Sequence, residues 1–406
     1  MTNLRMRWNN RSLHISLNPV RLSITLEGKP FPEIYNFDLT GRPWNMYLHG
    51  RFHQRGLDGK IIAKWTDPPA GRGRLMLQDP EARNLEQQAS DVAAVLLRDL
   101  QAGLITVDET HSDEILQILA SAASYAGSRA QKEIARFHEI YTPVGILPPD
   151  QYQAVLLQAT EGCSFNTCTF CDFYKGGHFR IKGENSFEQH ARAVREFLGD
   201  GLSLRRTIFL GDANALVIPT ERMLALMDIA GKIFDVDALG GFYAFLDGFS
   251  GERKSSDEYQ RLHRAGLERI YVGLESGHDP LLRFLNKPGS ADNALAAVRK
   301  MKAGGVPVGI IILLGAGGRK YAAGHIEDTV SVLNRMNLGL DDQIYFSELV
   351  EFEELPYAMN AFQADIHPLD LSDARQQAEL IQSKLDFDLR SGTPHISRYD
   401  IREFVY

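Results

Sequence analysis

Over roughly the first eighty residues, hydrophobic and polar positions alternate in short bursts, as in Leu13-His14-Ile15-Ser16-Leu17 and Leu22-Ser23-Ile24-Thr25-Leu26. A period of two puts the apolar side chains on one face of a strand. Asn-Pro, Glu-Gly and Leu-Asp-Gly turn signals separate the bursts. The pattern predicts an N-terminal antiparallel β domain over residues 1–83. From 84 to 140 the period lengthens: Val92, Val95, Leu96 and Leu100 share one helical face, as do Ile115, Ile118 and Leu119. This predicts a helical connector over 84–150, which Leu147-Pro148-Pro149-Asp150 brings to an end.

Beyond that boundary, continuous apolar runs take turns with helical stretches. The runs are Ala154 to Ala159, Thr207 to Leu210, Gly241 to Leu246, Arg269 to Leu274, Val308 to Leu314 and Gln343 to Phe346. Helices are predicted near 186–199, 220–233, 256–265, 279–286, 290–303 and 325–336. Strands apolar on both faces and joined by helices indicate a parallel sheet covered on both sides. Six such units predict an α/β fold, a partial (β/α)6 TIM-like barrel over 151–355, with reactive groups at the carboxyl ends of its strands. Residues 356–406 form a C-terminal extension with one predicted helix, 372–388, and a short end that can lie across the barrel mouth.

The chain has 406 residues, 44% of them hydrophobic, enough for one large core and a smaller second one. Its 44 lysines and arginines face 52 acidic residues, a net charge of -8, and no five like charges run together. That balance argues against a nucleic-acid partner or a polybasic membrane patch and leaves small-molecule chemistry. The first residues lack the apolar stretch of a leader. The longest apolar run, Val306 to Ala316, falls short of the ~18 residues a membrane span requires. The expectation is a cytoplasmic protein, in a compartment that keeps thiols reduced.

Reduced thiols matter because all three cysteines, Cys163, Cys168 and Cys171, stand in one short segment with the spacing C-x4-C-x2-C. Soft thiolates select iron-sulfur clusters, zinc or Cu(I). A plant-type [2Fe-2S] site opens with the same spacing but needs a fourth cysteine, and structural zinc takes four ligands. No fourth cysteine exists in the chain. Three readings stand: buried core thiols, zinc completed by His178, and a [4Fe-4S] cube held at three corners with one iron free for a reactant. Grouping counts against the first, because reactivity rather than packing usually explains such clusters.

The ending Cys168-Thr169-Phe170-Cys171 resembles the C-x-aromatic-C close of the radical S-adenosylmethionine (radical SAM) superfamily, whose usual motif is C-x3-C-x2-C. Here one extra residue separates the first two cysteines. The resemblance covers residues 152–350 and continues at the predicted strand ends. Gly211-Asp212-Ala213-Asn214 is similar to the Gly-rich segment that receives the SAM amino group, although the usual wording is Gly-Gly-Glu; it implies Gly211, Asp212 and Asn214 as cofactor contacts. Glu275, in Gly273-Leu274-Glu275-Ser276-Gly277, and Lys287 resemble a pair in the oxygen-independent coproporphyrinogen III oxidase branch that engages the SAM ribose and carboxylate. Phe170 and the fifth strand, with Leu313, are implied at the adenine.

The resemblance implies one [4Fe-4S] cluster on Cys163, Cys168 and Cys171, reduced by an external one-electron donor of flavodoxin or ferredoxin type. SAM would then be cleaved to methionine and a 5′-deoxyadenosyl radical that abstracts hydrogen from a small-molecule substrate. Three cysteines leave none for an auxiliary cluster, so the compatible outcomes are dehydrogenation, rearrangement, carbon-carbon bond formation and methylation. Position at the barrel mouth marks Asp247, Ser347 and Glu348 as substrate contacts, with Arg180 and Lys182 as further candidates and Tyr243 as a conceivable hydrogen donor. The alternative is a non-catalytic, heme chaperone-like binding protein using His49 and His53. A transfer-RNA modifier of the Elongator type would need an acetyltransferase domain and a basic surface, and neither is visible.

Overall fold

The computed structural model describes residues 2–67, 71–105, 112–388 and 391–406; residues 106–111 of the expected helical stretch lie outside the described residues. The chain divides into two compact units, residues 1–143 with 193–205 and 403–406, and residues 144–192 with 206–402.

In the first unit eight strands pair antiparallel in chain order: β1 (Thr2–Trp8), β2 (Arg11–Leu17), β3 (Arg21–Leu26), β4 (Glu33–Asp38), β5 (Pro43–Leu48), β6 (Arg51–Arg55), β7 (Ile61–Asp67) and β8 (Gly71–Met76). The alternation in sequence becomes alternation in depth. Leu13, Ile15 and Leu17 of β2 and Leu22, Ile24 and Leu26 of β3 are buried, while the residues between them are half-exposed. The apolar face is covered by α1 (Asp79–Gln101) and α2 (Ser112–Ala123), which contribute Ala89, Ala93, Leu96, Ile115 and Leu119 to the same core. Helix α3 (Ser128–Ile140) completes the connector.

The second unit is built on a seven-stranded parallel sheet. Strand β9 (Ala154–Gln158) leads into the cysteine segment, which a short antiparallel pair, β10 (Thr160–Glu161) and β11 (Arg180–Ile181), closes at its base. Helix α4 (Glu184–Leu198), β12 (Thr207–Gly211), α5 (Thr220–Gly231) and β13 (Phe242–Phe245) follow. Next come α6 (Gly248–Gly251), α7 (Ser256–Arg264), β14 (Leu267–Glu275), α8 (Asp279–Phe284), α9 (Ala291–Ala303), β15 (Val308–Leu314), α10 (Gly318–Asn334) and β16 (Gln343–Glu348). Strands β9, β12 and β15 are buried along their whole length, as strands covered on both faces must be.

All six predicted strands of the partial barrel are present. The C-terminal extension, after α11 (Pro356–Gln363) and α12 (Leu371–Ser383), adds a seventh, β17 (His395–Tyr399). It pairs in parallel with β16, in register from Gln343↔His395 to Ser347↔Tyr399. Being an edge strand, His395-Ile396-Ser397-Arg398-Tyr399 is exposed or half-exposed throughout and carries no apolar run to announce it. No helix among the described residues is long and apolar enough to cross a membrane.

Candidate active site

The carboxyl ends of the parallel strands surround one cavity, and the cysteine segment forms part of its wall. The segment is fixed by its own backbone. Asn166, of a type that tolerates the left-handed conformation better than most side-chain-bearing residues, sits at φ +48° within the C-x4-C spacing. Its N–H points at the Cys163 Sγ at 3.4 Å, and its side-chain amide donates to the Tyr174 carbonyl at 2.7 Å. Lys175 Nζ donates to the carbonyls of Asn166 and Cys168 at 3.0 and 3.1 Å. Behind the cysteines, Thr169 N–H donates to the Leu285 carbonyl and Asn286 Nδ2 to the Thr167 carbonyl. The loop is thereby docked on the end of α8.

The same helix end places Lys287. Helix α8 stops because Asn286 turns left-handed at φ +51°, the Lys287 N–H closes back onto the Leu282 carbonyl, and Pro288 forbids continuation. Lys287 Nζ then meets Glu275 Oε1 at 2.8 Å, with both side chains largely buried. Burial alone would lower the ammonium pKa; the Glu275 carboxylate and the Cys168 sulfur more than offset it, and the net shift is upward. Glu275 itself stands at φ +60°, a strained conformation for a side-chain-bearing residue, beside a register shift between β14 and β15. Gly273 makes room for the pair: a Cβ there would lie 2.5 Å from Glu275 Oε1 and 3.0 Å from Lys287 Nζ.

The turn after Glu275 is pinned from behind. The Ser276 hydroxyl accepts the His278 N–H at 3.0 Å and is hydrogen-bonded to His325 Nδ1 at 2.7 Å, while the Gly277 N–H reaches Thr329 Oγ1 at 2.8 Å. Complete burial, assisted by nearby His278, pushes the His325 pKa down to about 4, so the ring is neutral in the folded protein. In the unfolded chain the ring titrates near 6.5. Folding stability attached to this residue is present above pH 6.5 and is lost as pH falls towards 4, by about 3 kcal/mol for a shift of this size. Denaturant unfolding at pH 7 and pH 4.5 should show a smaller drop in His325→Gln than in the unaltered protein.

The cavity gathers Cys163, Cys168, Cys171, Phe170, Asn214, Asp247, Glu275, Lys287, Leu313, Ser347 and Glu348. Asn214 bridges two walls, donating to Ser164 Oγ at 3.0 Å and to the Asp247 carboxylate, and accepting the Asp247 N–H at 3.0 Å. Gly211, Asp212 and Tyr243 are not among the lining residues. Gly211 lies against Leu156, which leaves no space for a Cβ. The Asp212 carboxylate accepts from Gln158 Nε2 at 2.9 Å and from the Gly162 N–H at 3.1 Å, so it steadies the entry to the cysteine segment. Burial drives its pKa up to about 6 against those two hydrogen bonds.

Tyr243 belongs to the amino-terminal half of β13, where Arg269, Glu268 and Asp150 are its charged neighbours. A donor so placed is at the wrong end of the strand. Tyr243→Phe should retain 5′-deoxyadenosine formation within about twofold, the range of a substitution away from a site. Arg180 and Lys182 are likewise outside the lining, each paired with Glu161 at 2.7 Å. The sequence reading missed Phe165, Tyr271, Tyr399 and Ile401, which do line the cavity. Tyr399 bonds to Ser347 across the β16–β17 pair, a contact legible only once β17 is known to be a strand.

No three His, Cys, Asp or Glu side chains among the described residues stand close enough to hold a single metal ion; three soft thiol ligands on one cavity suit instead a cluster, whose several iron atoms spread its ligands further apart. All three thiols are half-buried and share the cavity. Burial raises the Cys168 pKa and pushes that of Cys171 up to about 12, so these thiols carry protons that metal binding would displace. His178 is exposed and outside the lining, which removes the fourth ligand of a zinc site.

Residues 157–331 match the family described as the radical SAM superfamily. No curated protein matches the chain. Among solved structures, methylornithine synthase (PylB) is 15% identical over 66% of this chain and 75% of its own, with a TM-score of 0.41. Coproporphyrinogen III oxidase (HemN) from Escherichia coli is 12% identical over 62% and 61%, with a TM-score of 0.41. The cobalamin-dependent S-adenosylmethionine radical enzyme OxsB is 15% identical over 56% of this chain with a TM-score of 0.37, and the chain spans only 30% of its length.

Proposed function

We propose, from the match of residues 157–331 to the radical SAM superfamily, an enzyme that cleaves SAM reductively at a single [4Fe-4S] cluster and abstracts hydrogen from a small molecule. The observation that carries the reading is the convergence of Cys163, Cys168, Cys171, Glu275 and Lys287 on one cavity at the carboxyl ends of the strands. When bound, the cluster and SAM would supply one-electron cleavage of a carbon-sulfur bond and a carbon-centred radical. This chain supplies binding and orientation. Lys287, kept cationic by Glu275, would pair with the SAM carboxylate. The second Glu275 oxygen has no partner among the described residues and suits a ribose hydroxyl. Phe170 and Leu313 offer apolar surface to a nucleobase, and the largely apolar walls exclude water.

A cytoplasmic setting and a flavodoxin- or ferredoxin-type donor accompany the proposal. The heme-binding alternative draws less support, because of its two histidines only His49 is exposed, while His53 is 7% exposed and closed off from an incoming macrocycle. Anaerobic reconstitution with iron and sulfide, followed by dithionite and SAM, should yield 5′-deoxyadenosine. Iron-loaded protein that leaves SAM intact under that reductant would overturn the proposal.

A further inference from the structure

We infer that the substrate taken by this site is a small cation, an amine with an apolar body, and that carboxylate-bearing molecules are disfavoured; the inference rests on the reading above. It begins from charge. Among the described residues the cavity is lined by four acids, Asp172, Asp247, Glu275 and Glu348, and by one cation, Lys287, with no arginine or histidine. Lys287 is tied to Glu275 at 2.8 Å and is the group proposed for the SAM carboxylate. No positive charge of the lining is then left for a second ligand.

None of the remaining acids is hydrogen-bonded to a cation among the described residues. Asp247 accepts from the Ser250 N–H at 2.7 Å and from the Asn214 amide, both uncharged donors. Asp172 is exposed and forms no ion pair among the described residues. Glu348 has Arg402 3.8 Å away, too far for a hydrogen bond. That ion pair is shared, since the Arg402 guanidinium hydrogen-bonds Asp400 at 2.7 and 2.6 Å.

Apolar side chains separate these acids, among them Phe165, Phe245, Leu349, Val350 and Ile401. Walls of low polarity strengthen the field of charges set between them and concentrate ligands of the opposite sign. With SAM bound, its sulfonium and the outlying Arg402 would offset part of the negative charge of Asp172, Asp247 and Glu348 but not all of it, so an entering carboxylate would lose its water in a site of net like charge, an arrangement that is disfavoured. An ammonium would find acceptors, and its hydrocarbon portion would find the aromatic and aliphatic surface.

The test uses two near-isosteric probes of opposite charge, phenethylammonium and 3-phenylpropanoate, in equilibrium dialysis against reconstituted, SAM-loaded, unreduced protein. At low salt the ammonium probe should bind at least about tenfold more tightly, with the preference shrinking as salt is added. Glu348→Gln, which keeps the shape of the side chain, should weaken the ammonium probe several-fold without affecting 2-phenylethanol, a neutral probe. Equal binding of the charged pair, preference for the carboxylate, or binding of neither at millimolar concentration overturns the inference. Those outcomes alongside normal 5′-deoxyadenosine formation under dithionite remove only the substrate class; failure of that formation removes the reading on which it rests.

Discussion

Alanine in place of any one of Cys163, Cys168 or Cys171 is expected to prevent stable assembly of the cluster and to lower 5′-deoxyadenosine formation by at least about a hundredfold. Loss of a group that merely supports a metal ligand costs 10–100-fold, and loss of a ligand itself should cost no less. The chain contains no other cysteine to substitute. The effect should be on the centre and not on the fold, since each thiol faces the cavity and is only half-buried. Iron and sulfide content, visible absorbance and product analysis measure the first; thermal unfolding of the metal-free protein measures the second. A single variant that keeps full iron content and activity would show that its cysteine is not a ligand.

Lys287→Met carries the second large effect. It leaves Glu275 charged, buried and without its partner, and breaking such a pair from one side costs about 3–5 kcal/mol. The double variant Glu275→Gln/Lys287→Met removes both charges and should recover most of that stability, because a buried ion pair exchanged for neutral groups of similar size is often nearly neutral. Recovery of the fold should not restore SAM binding. Denaturant unfolding of the metal-free protein and dialysis of SAM against the reconstituted protein separate the two consequences. Unchanged stability in Lys287→Met would contradict the coupling of this pair, and SAM binding by the double variant equal to that of the unaltered protein would contradict its proposed role.

The barrel was legible because its strands are apolar on both faces, a pattern strong enough to stand out in a single chain. The cysteine segment was legible because ligand spacing is a local property. What escaped depends on distance along a strand or between segments. Tyr243 and Asp247 are close in sequence, yet the first lies near the amino end of β13 and the second at the cavity, and the apolar pattern alone does not fix how deep a residue sits. Asp212 reads as a ligand contact until its carboxylate is found holding Gly162 and Gln158. The left-handed backbone of Glu275 has no signature in residue type, because the surrounding sheet and not the side chain imposes it. Strand β17 escaped because its exposed face is polar, and with it went Tyr399.

In the proposed enzyme three cysteines leave a corner of the cube open for SAM. Electron paramagnetic resonance of the dithionite-reduced, reconstituted protein tests it most directly, recorded with and without SAM carrying nitrogen-15 in its amino group. SAM bound at that corner should change the cluster spectrum and give a hyperfine coupling to the labelled nitrogen. A reduced cluster whose spectrum is the same in the presence of SAM, with no such coupling, would contradict it.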